Sequence, residues 1–414
     1  MQPLMQLTPR QRLTQFAHVL QQDLFPALEA SSGPLSESLQ LLTSVVSLLP
    51  VHRFLPAGSS TGRPSRDRAA LVTAFIAKAI LNLRTNRDLR ARLQVDRPLR
   101  QLCGWRAPES IPHESKFSRV FASFAHCQLP QRLHEALIAE TQKDRLVGHI
   151  ARDATAIPAR ERFAAAAKPA KAKASAKAKA KAKAKAKAKP EAKQKAQDKA
   201  KRKKKGERNG QFRQSKASDR GTRIQRQRHQ SLERMLADLP TACDIGRKQN
   251  AQGHEHYWRG YKLHLDVADG QIPVSAVLTS ASVHDSQVAI PLMTMTSRRV
   301  CYLYELMDSA YDADDIHAHC REMEHVPVIA PHPRRATQKP SPLTKVFPAK
   351  PVPQLSPAQQ DRYRERTMSE RVNARLKDEF GAGHIRVRGA AKVMAHLMFG
   401  VLALTVDQWL RLAR

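Results

Sequence analysis

The chain has 414 residues, 41% of them hydrophobic, and a formal net charge of +34, which allows two or three domains with a sizeable core and points to a polyanionic partner, nucleic acid by default. Its five cysteines, Cys103, Cys127, Cys243, Cys301 and Cys320, are widely spaced with no C-x-x-C pair, which argues against a disulfide framework or a zinc ribbon. The N-terminus MQPLMQLTPRQRL lacks the apolar run of a signal peptide, and the longest apolar stretch, residues 393–410, is interrupted by His396 and Asp407; a buried amphipathic helix, no membrane span and a cytoplasmic location are expected.

In chain order, residues 1–50 show helical periodicity in LTQFAHVLQQDLF and LSESLQLLTSVVSLL, with Pro26 and the Ser-Ser-Gly-Pro run at 31–34 expected to separate them. A polar Gly/Pro/Ser loop covers 55–66, and RAALVTAFIAKAILNL at 68–83 predicts a strongly apolar helix. Thr85 is placed to cap the next helix, NRDLRARL, and LCGW at 102–105 reads as a helix end and turn. After Pro112, ESKFSRVFASFA carries Phe117, Phe121 and Phe124 at helical spacing, a stripe for the core. Residues 1–142 are thus expected to form an all-helical N-terminal domain with several short basic helices, suited to DNA although no helix-turn-helix pattern is clean.

DRLVGHIARDATAIPAR at 144–160 predicts a strand, with β-branched Val147, Ile150 and Thr155 and with Asp153 near its end. Beside Arg152, Asp153 is either half of an ion pair or a metal ligand. Residues 164–205 are Ala/Lys low complexity, and 168–205 holds 18 Lys plus Arg against 2 acids, leaving 34 − 16 = +18 for the remainder. Like charges at i, i+4 on every face and no apolar stripe predict a disordered, cationic segment.

RIQRQRHQSLERMLADLP predicts a helix, and GYKLHLDVADGQIPVSAVLTSA at 260–281 a β-hairpin about Ala268-Asp269-Gly270. His284-Asp285-Ser286 opens a further helix with Asp285 or Ser286 as cap. VCYLYELMDSAYDADDIHAHCREM predicts a strand ending near Asp308, a turn and a helix, on which His317, His319 and Cys320 point in different directions and suggest a solvated face rather than a metal site. VPVIA at 326–330 reads as a strand, 331–357 as an irregular basic loop, and 390–411 as a closing apolar helix.

Between these last two lies YRERTMSERVNARLK, 363–377, free of proline and glycine and predicted to be one helix. Offsets of three, seven and fourteen residues set Tyr363, Arg366, Glu370 and Lys377 within about 60° of one another on its surface. A solvated helix with Arg366 and Glu370 paired at i, i+4 is one reading. The other is a functional face: a carboxylate for a divalent metal, a guanidinium and an ammonium for phosphate, and a phenol for a phosphate or a base.

Tyr-x2-Arg-x3-Glu-x6-Lys resembles the signature of one group of bacterial insertion-sequence transposases with a DDE catalytic domain. The blocks RDATAIPARE, WRGYKLHLDVADG, LTSASVHDSQVAIPL and MDSAYDA, and AFIAKAILNLRTNRDLRARL with LCGW and KFSRVFASFA, are similar to theirs, so the resemblance spans about residues 60–411. The Ala/Lys tract is its departure. The resemblance implies an α/β, RNase H-like catalytic domain, a mixed sheet with flanking helices, over residues 143–411, interrupted at about 164–220 and preceded by a helical domain, 1–142, that binds DNA ends.

It further implies Asp153, Asp308 and Glu370 as the catalytic, metal-ligating carboxylates for two Mg²⁺ ions, Mn²⁺ being an alternative, about 3.5–4 Å apart. Asp308 is preferred to Asp312, Asp314 and Asp315 because it closes an apolar strand. Tyr363, Arg366 and Lys377 would hold double-stranded DNA, both transposon ends and target. The implied protein is a cytoplasmic, nucleoid-associated bacterial enzyme, a homodimer when assembled on DNA, that cuts phosphodiester bonds at the element's ends and joins the 3′-hydroxyls to target DNA. The alternative is a catalytically silent DNA-binding protein of the same descent.

Overall fold

Helix α1 (Pro9–Val19) runs through one π turn (Leu20–Leu24) into α2 (Phe25–Ser32). Pro26 does not break this segment as expected. It lies in the first turn of α2, just after the π turn, where its fixed φ suits the helical backbone. The stop comes at Gly33, whose φ of 88° leaves helical space. The computed structural model describes residues 9–55, 67–142, 145–161, 221–249, 253–332 and 355–413; the Gly/Pro/Ser loop, the Ala/Lys tract and most of the basic loop lie outside them.

The helical region continues with α3 (Glu37–Leu48), α4 (Val51–Phe54), α5 (Arg68–Ile80), α6 (Asn86–Val95), α7 (Arg97–Leu102), α8 (Glu114–His126) and α9 (Leu129–Gln142). Residues 71–79 of α5 are all buried, as a helix apolar on every side requires. Thr85 caps α6 in a reciprocal box with Asp88. Phe117, Phe121 and Phe124 of α8 meet Phe75 of α5 edge to face, so the stripe is core.

The sheet is built from β1 (Leu146–Pro158), β2 (Asp244–Gln249), β3 (Glu255–Ala268), β4 (Ile272–Ser280), β5 (Cys301–Met307) and β6 (Val326–Ile329). β1 lies antiparallel to β3 and parallel to β5, β5 lies parallel to β6, and β3 also pairs antiparallel with β4 and with β2. A short helix, α10 (Arg223–Gln227), comes before β2 in the chain; around the sheet are α11 (Leu232–Asp238), α12 (Ser286–Ser297), α13 (Asp314–Glu322), α14 (Pro357–Arg364), α15 (Thr367–Asp378) and α16 (Ala390–Ala413). The architecture is mixed α/β, a sheet flanked by helices after an N-terminal helical region.

Two elements depart from the sequence reading. The segment 223–238 breaks into two helices because Ser231 caps a new start, its side chain accepting from the Arg234 N–H. β2 was not foreseen, since DIGRKQ has no apolar alternation. It forms where Gly246, lacking a side chain, leaves room for the ring of Trp258 across the pair.

Residues Met1–Glu161 and Gln227–Arg414 form one compact unit. The second unit, Arg162–Arg226, is described only at 221–226. In the first unit one apolar cluster joins Leu71 and Phe75 to Val147, Ile150, Ile272 and Phe399, so the N-terminal helices and the sheet share a core. A second cluster joins Ala151, Leu263, Leu265 and Leu306 of the sheet to Met368, Val372 and Leu376 of α15. α16 contributes to both; it is long and apolar enough to cross a membrane, but most of it is buried in this core.

Gly260 is paired in β1–β3 with Pro158 and in β2–β3 with Asp244, and a Cβ there would overlap the Ile157 carbonyl oxygen. Gly260→Ala is expected to destabilise the protein by about 1–3 kcal/mol through that overpacking, read as a lower urea midpoint. An unchanged midpoint would show that the strands need no such close approach.

Candidate active site

The parallel register of β1 and β5 pairs Ala151 with Leu306. Extending it by two residues sets Asp153 against Asp308. Asp153 is not at the end of its strand, as expected from sequence, because β1 continues along β3 to Pro158; what ends just before Asp153 is the β1–β5 ladder. β5 stops at Met307, and Asp308 turns the chain by accepting the Ala310 N–H at 3.0 Å.

Burial pushes the Asp153 carboxyl above the usual range, and Asp308 adds to the shift against the pull of the Ala154 N–H, Lys248 and Arg366. Burial likewise pushes Asp308 up, with Asp285 adding to it and the Ala310 N–H, Arg366 and Lys248 opposing. Asn373 Nδ2 donates to Asp153 Oδ2 at 2.9 Å and fixes that carboxylate. Two half-desolvated carboxylates on neighbouring strands are hard oxygen donors whose charged forms a cation would stabilise.

Arg152 is not the partner of Asp153. Successive side chains on a strand point to opposite faces, and Arg152 bonds Asp266 at 2.8 and 2.7 Å and lies 3.2 Å from Glu305, all three fully buried. Burial tends to raise Glu305, but Arg152, His325 and Tyr302 hold it below the usual carboxylate range, while burial leaves Asp266 raised.

The helix expected over 363–377 is two helices, α14 and α15, joined by a tighter turn at Glu365 and Arg366. There the N–H groups of Arg366, Met368 and Ser369 bond carbonyls three residues back. Thr367 Oγ1 donates to the Arg364 carbonyl at 3.0 Å and Ser369 Oγ to that of Arg366 at 2.8 Å, in competition with the helical ladder. The turn still delivers the face: Arg366 acts electrostatically on Asp153 and Asp308, Lys377 on Asp153, and Tyr363 on Asp308 and Glu370.

Glu370 is held differently. Arg366 Nη2 bonds its carboxylate at 2.6 Å, and the Glu370 side chain is 53% exposed. The i, i+4 pair anticipated for a plain charged helix therefore exists, on the face that meets the aspartates. Among the described residues no three His, Cys, Asp or Glu side chains are grouped so that they could hold a metal ion. Asp153 and Asp308 are brought together; Glu370 reaches them through Arg366.

Of the other acids, Asp312 accepts from the His332 N–H at 2.8 Å and from His317 at 3.1 Å, and Asp315 pairs with Arg228. His317, His319 and Cys320 do diverge, toward Asp312, Thr294 and Met293 respectively. Asp285 takes the N-cap position of α12, as one of the two expected candidates, but its side chain makes no capping bond: the Ser286 N–H turns to His284 Nδ1, and Asp285 pairs with Lys262 at 2.8 Å and acts electrostatically on Asp308.

Lys248, Asn373 and Asp285 were missed by the sequence reading. Asn373 lies three residues from Glu370, so helical spacing alone places it on a neighbouring position. Nothing local marks Lys248, which sits on the unforeseen strand.

Two family models match the chain. One, described as Transposase DDE domain, covers residues 148–406. The other, described as Transposase domain (DUF772), covers residues 30–123. No curated protein and no solved structure matches it.

Proposed function

Since the chain belongs to the transposase family defined by that DDE domain, we propose that it cuts DNA at the ends of an insertion sequence and joins the freed 3′-hydroxyls to target DNA. The observation that supports this reading is the parallel pairing of β1 with β5, which runs to Ala151 and Leu306, two residues before Asp153 and Asp308, with Arg366 acting electrostatically on both carboxylates. The strands flanking β1, antiparallel on one side and parallel on the other, support an RNase H-like domain over 143–411, with the helices of 1–142 as the part that grips DNA ends.

Asp153 and Asp308 would hold Mg²⁺ or Mn²⁺, two ions in all, and Glu370, which bonds Arg366 in this structure, would complete the set on giving up that pair. Bound there, the ions supply Lewis-acid activation of water and charge neutralisation at the leaving oxygen. Asn373 keeps Asp153 aimed at the site. Arg366 bonds Glu370 and acts electrostatically on both aspartates, and a phosphate can take its remaining donors. Lys377 adds a point charge, and Tyr363 packs beside Arg366, whose guanidinium lies 5.7 Å from its ring centroid. The substrate is double-stranded DNA, and the enzyme would act as a homodimer on it.

The test is nicking of a plasmid carrying the reading frame with its flanking DNA. Mg²⁺-dependent nicking, with binding retained in EDTA, is expected; binding without nicking in Mg²⁺ or Mn²⁺ would favour the silent DNA-binding alternative.

A paired substitution separates the functional face from plain helix surface. Arg366→Ala is expected to slow cleavage about ten- to a thousandfold with little change in melting temperature, since a partly exposed ion pair contributes at most about 1 kcal/mol. Arg375→Ala should do the reverse. Arg375 bonds Glu379, Asp407 and Gln408 and ties α15 to α16, so its loss lowers the melting temperature and spares cleavage. The same pattern at both positions would sink the assignment of the face.

A further inference from the structure

In the N-terminal helical region, α4, the start of α5, the end of α8 and the start of α9 line a cavity of about 390 Å³. Three arginines line it, Arg53, Arg68 and Arg132, and among the described residues no acid does. The rest of its wall is largely apolar, with Phe54, Phe124 and Leu129. The Arg132 guanidinium lies 5.0 Å from the centroid of the Phe54 ring, a contact that holds it at the cavity. No residue of the carboxylate site reaches this place.

The acids nearest Arg68 and Arg132 in sequence are engaged elsewhere. Asp67 bonds Lys116 at 2.6 Å, and Glu135 lies 3.6 Å from Arg299. Arg53 and Arg132 are exposed, and among the described residues neither has an ion pair. Guanidinium groups gathered on one cavity without a carboxylate repel one another until an anion enters. The apolar wall lowers the local dielectric and strengthens their attraction for it.

We propose that this cavity is a phosphate-binding site of the N-terminal helices, where Arg53 and Arg132, with Arg68 adding charge, take a backbone phosphate of duplex DNA. This rests on the transposase reading and locates one of the grips that reading gives to residues 1–142. A planar guanidinium matches phosphate oxygens bidentately, and such a contact positions the duplex without reading its sequence. Cys127 lines the same cavity and is exposed, whereas Cys301 is exposed outside it, so the two thiols report on its occupancy.

The test uses the full chain in EDTA, with a duplex taken from the DNA that flanks the reading frame and an unrelated duplex of the same length. Arg53→Ala and Arg132→Ala are each expected to bind both duplexes about tenfold more weakly, and the double variant to flatten the slope of log K against log salt by about 0.9, one phosphate contact. Arg53→Lys should keep most of the slope, because charge sets it. Arg106→Ala removes an exposed arginine outside the cavity and should bind like the wild type. Either duplex should slow alkylation of Cys127 and leave that of Cys301 unchanged. Melting temperatures should move little, since Arg53 and Arg132 are exposed. Wild-type affinity and slope in the double variant, an equal loss at Arg106, or unchanged alkylation of Cys127 overturns the site. Protection of Cys127 by inorganic phosphate but by neither duplex overturns DNA as its occupant. Mg²⁺-dependent nicking by the wild type judges the transposase reading separately. Nicking together with wild-type binding by the double variant keeps that reading and sinks the cavity, and the expected losses without nicking do the reverse. If the wild type binds neither duplex, both fall.

Discussion

Asp153→Asn and Asp308→Asn are each expected to reduce DNA cleavage about a thousandfold or more, while end binding and folding persist. Either amide keeps the shape of the carboxylate but removes the charge that would hold a metal. The Asn373 bond to position 153 can be kept, and asparagine remains a good cap at position 308. Both carboxyls are raised by burial in the folded state. The stability such groups contribute is present below the unfolded value and is lost as pH rises through the folded one. At neutral pH the Asn variants should therefore melt no lower than the wild type, and higher if the charge is a net burden; at acid pH that difference should vanish. Glu370→Gln should also stop cleavage and additionally releases Arg366. Nicking assays with melting curves across pH check this, and wild-type nicking by any of the three variants would remove that residue from the site.

Arg152→Met is expected to be the most damaging single change to stability, about 3–5 kcal/mol. Its guanidinium lies between Asp266 and Glu305, both 0% exposed. Thr296 donates to Asp266 at 2.6 Å, and Tyr302 donates to Glu305. Without the arginine two buried carboxylates face each other uncompensated, and each is driven to bind a proton. Folded values raised above unfolded ones mean that the variant's deficit grows as pH rises and shrinks on acidification. Adding Asp266→Asn and Glu305→Gln should recover part of the loss. Urea unfolding at two pH values measures it; a small deficit, equal at both, would mean that water already reaches the network. The network joins β1, β3 and β5, the strands that position Asp153 and Asp308, so cleavage should fall with the fold.

Local pattern determined much of this protein. The apolar helix at 68–80, the Thr85 cap, the phenylalanine stripe, the hairpin about Asp269-Gly270 and the strand closing on Asp308 follow from periodicity and capping, which record backbone preferences over a few residues. The site-facing side of residues 363–377 was also legible despite the break. Glu365 at φ −64°, ψ −16° and Arg366 at φ −54°, ψ −30° stay in the right-handed helical region, so the spacing of the side chains survives the tighter turn.

What sequence could not decide were the partners of charges. Arg152 could be paired with its neighbour Asp153 on paper, but strand alternation turns it to the other face. Its actual partners come from β3, 114 residues away, and from β5. β2 has no apolar alternation of its own; it exists because Trp258 fits over Gly246 across the pair. Glu370 bonds Arg366 although helical spacing allowed it to face Asp153 and Asp308 directly. Helical and strand periods fix which face a side chain takes. Which charge waits on that face depends on the neighbouring strands and helices, and those are chosen by packing between segments far apart in the chain.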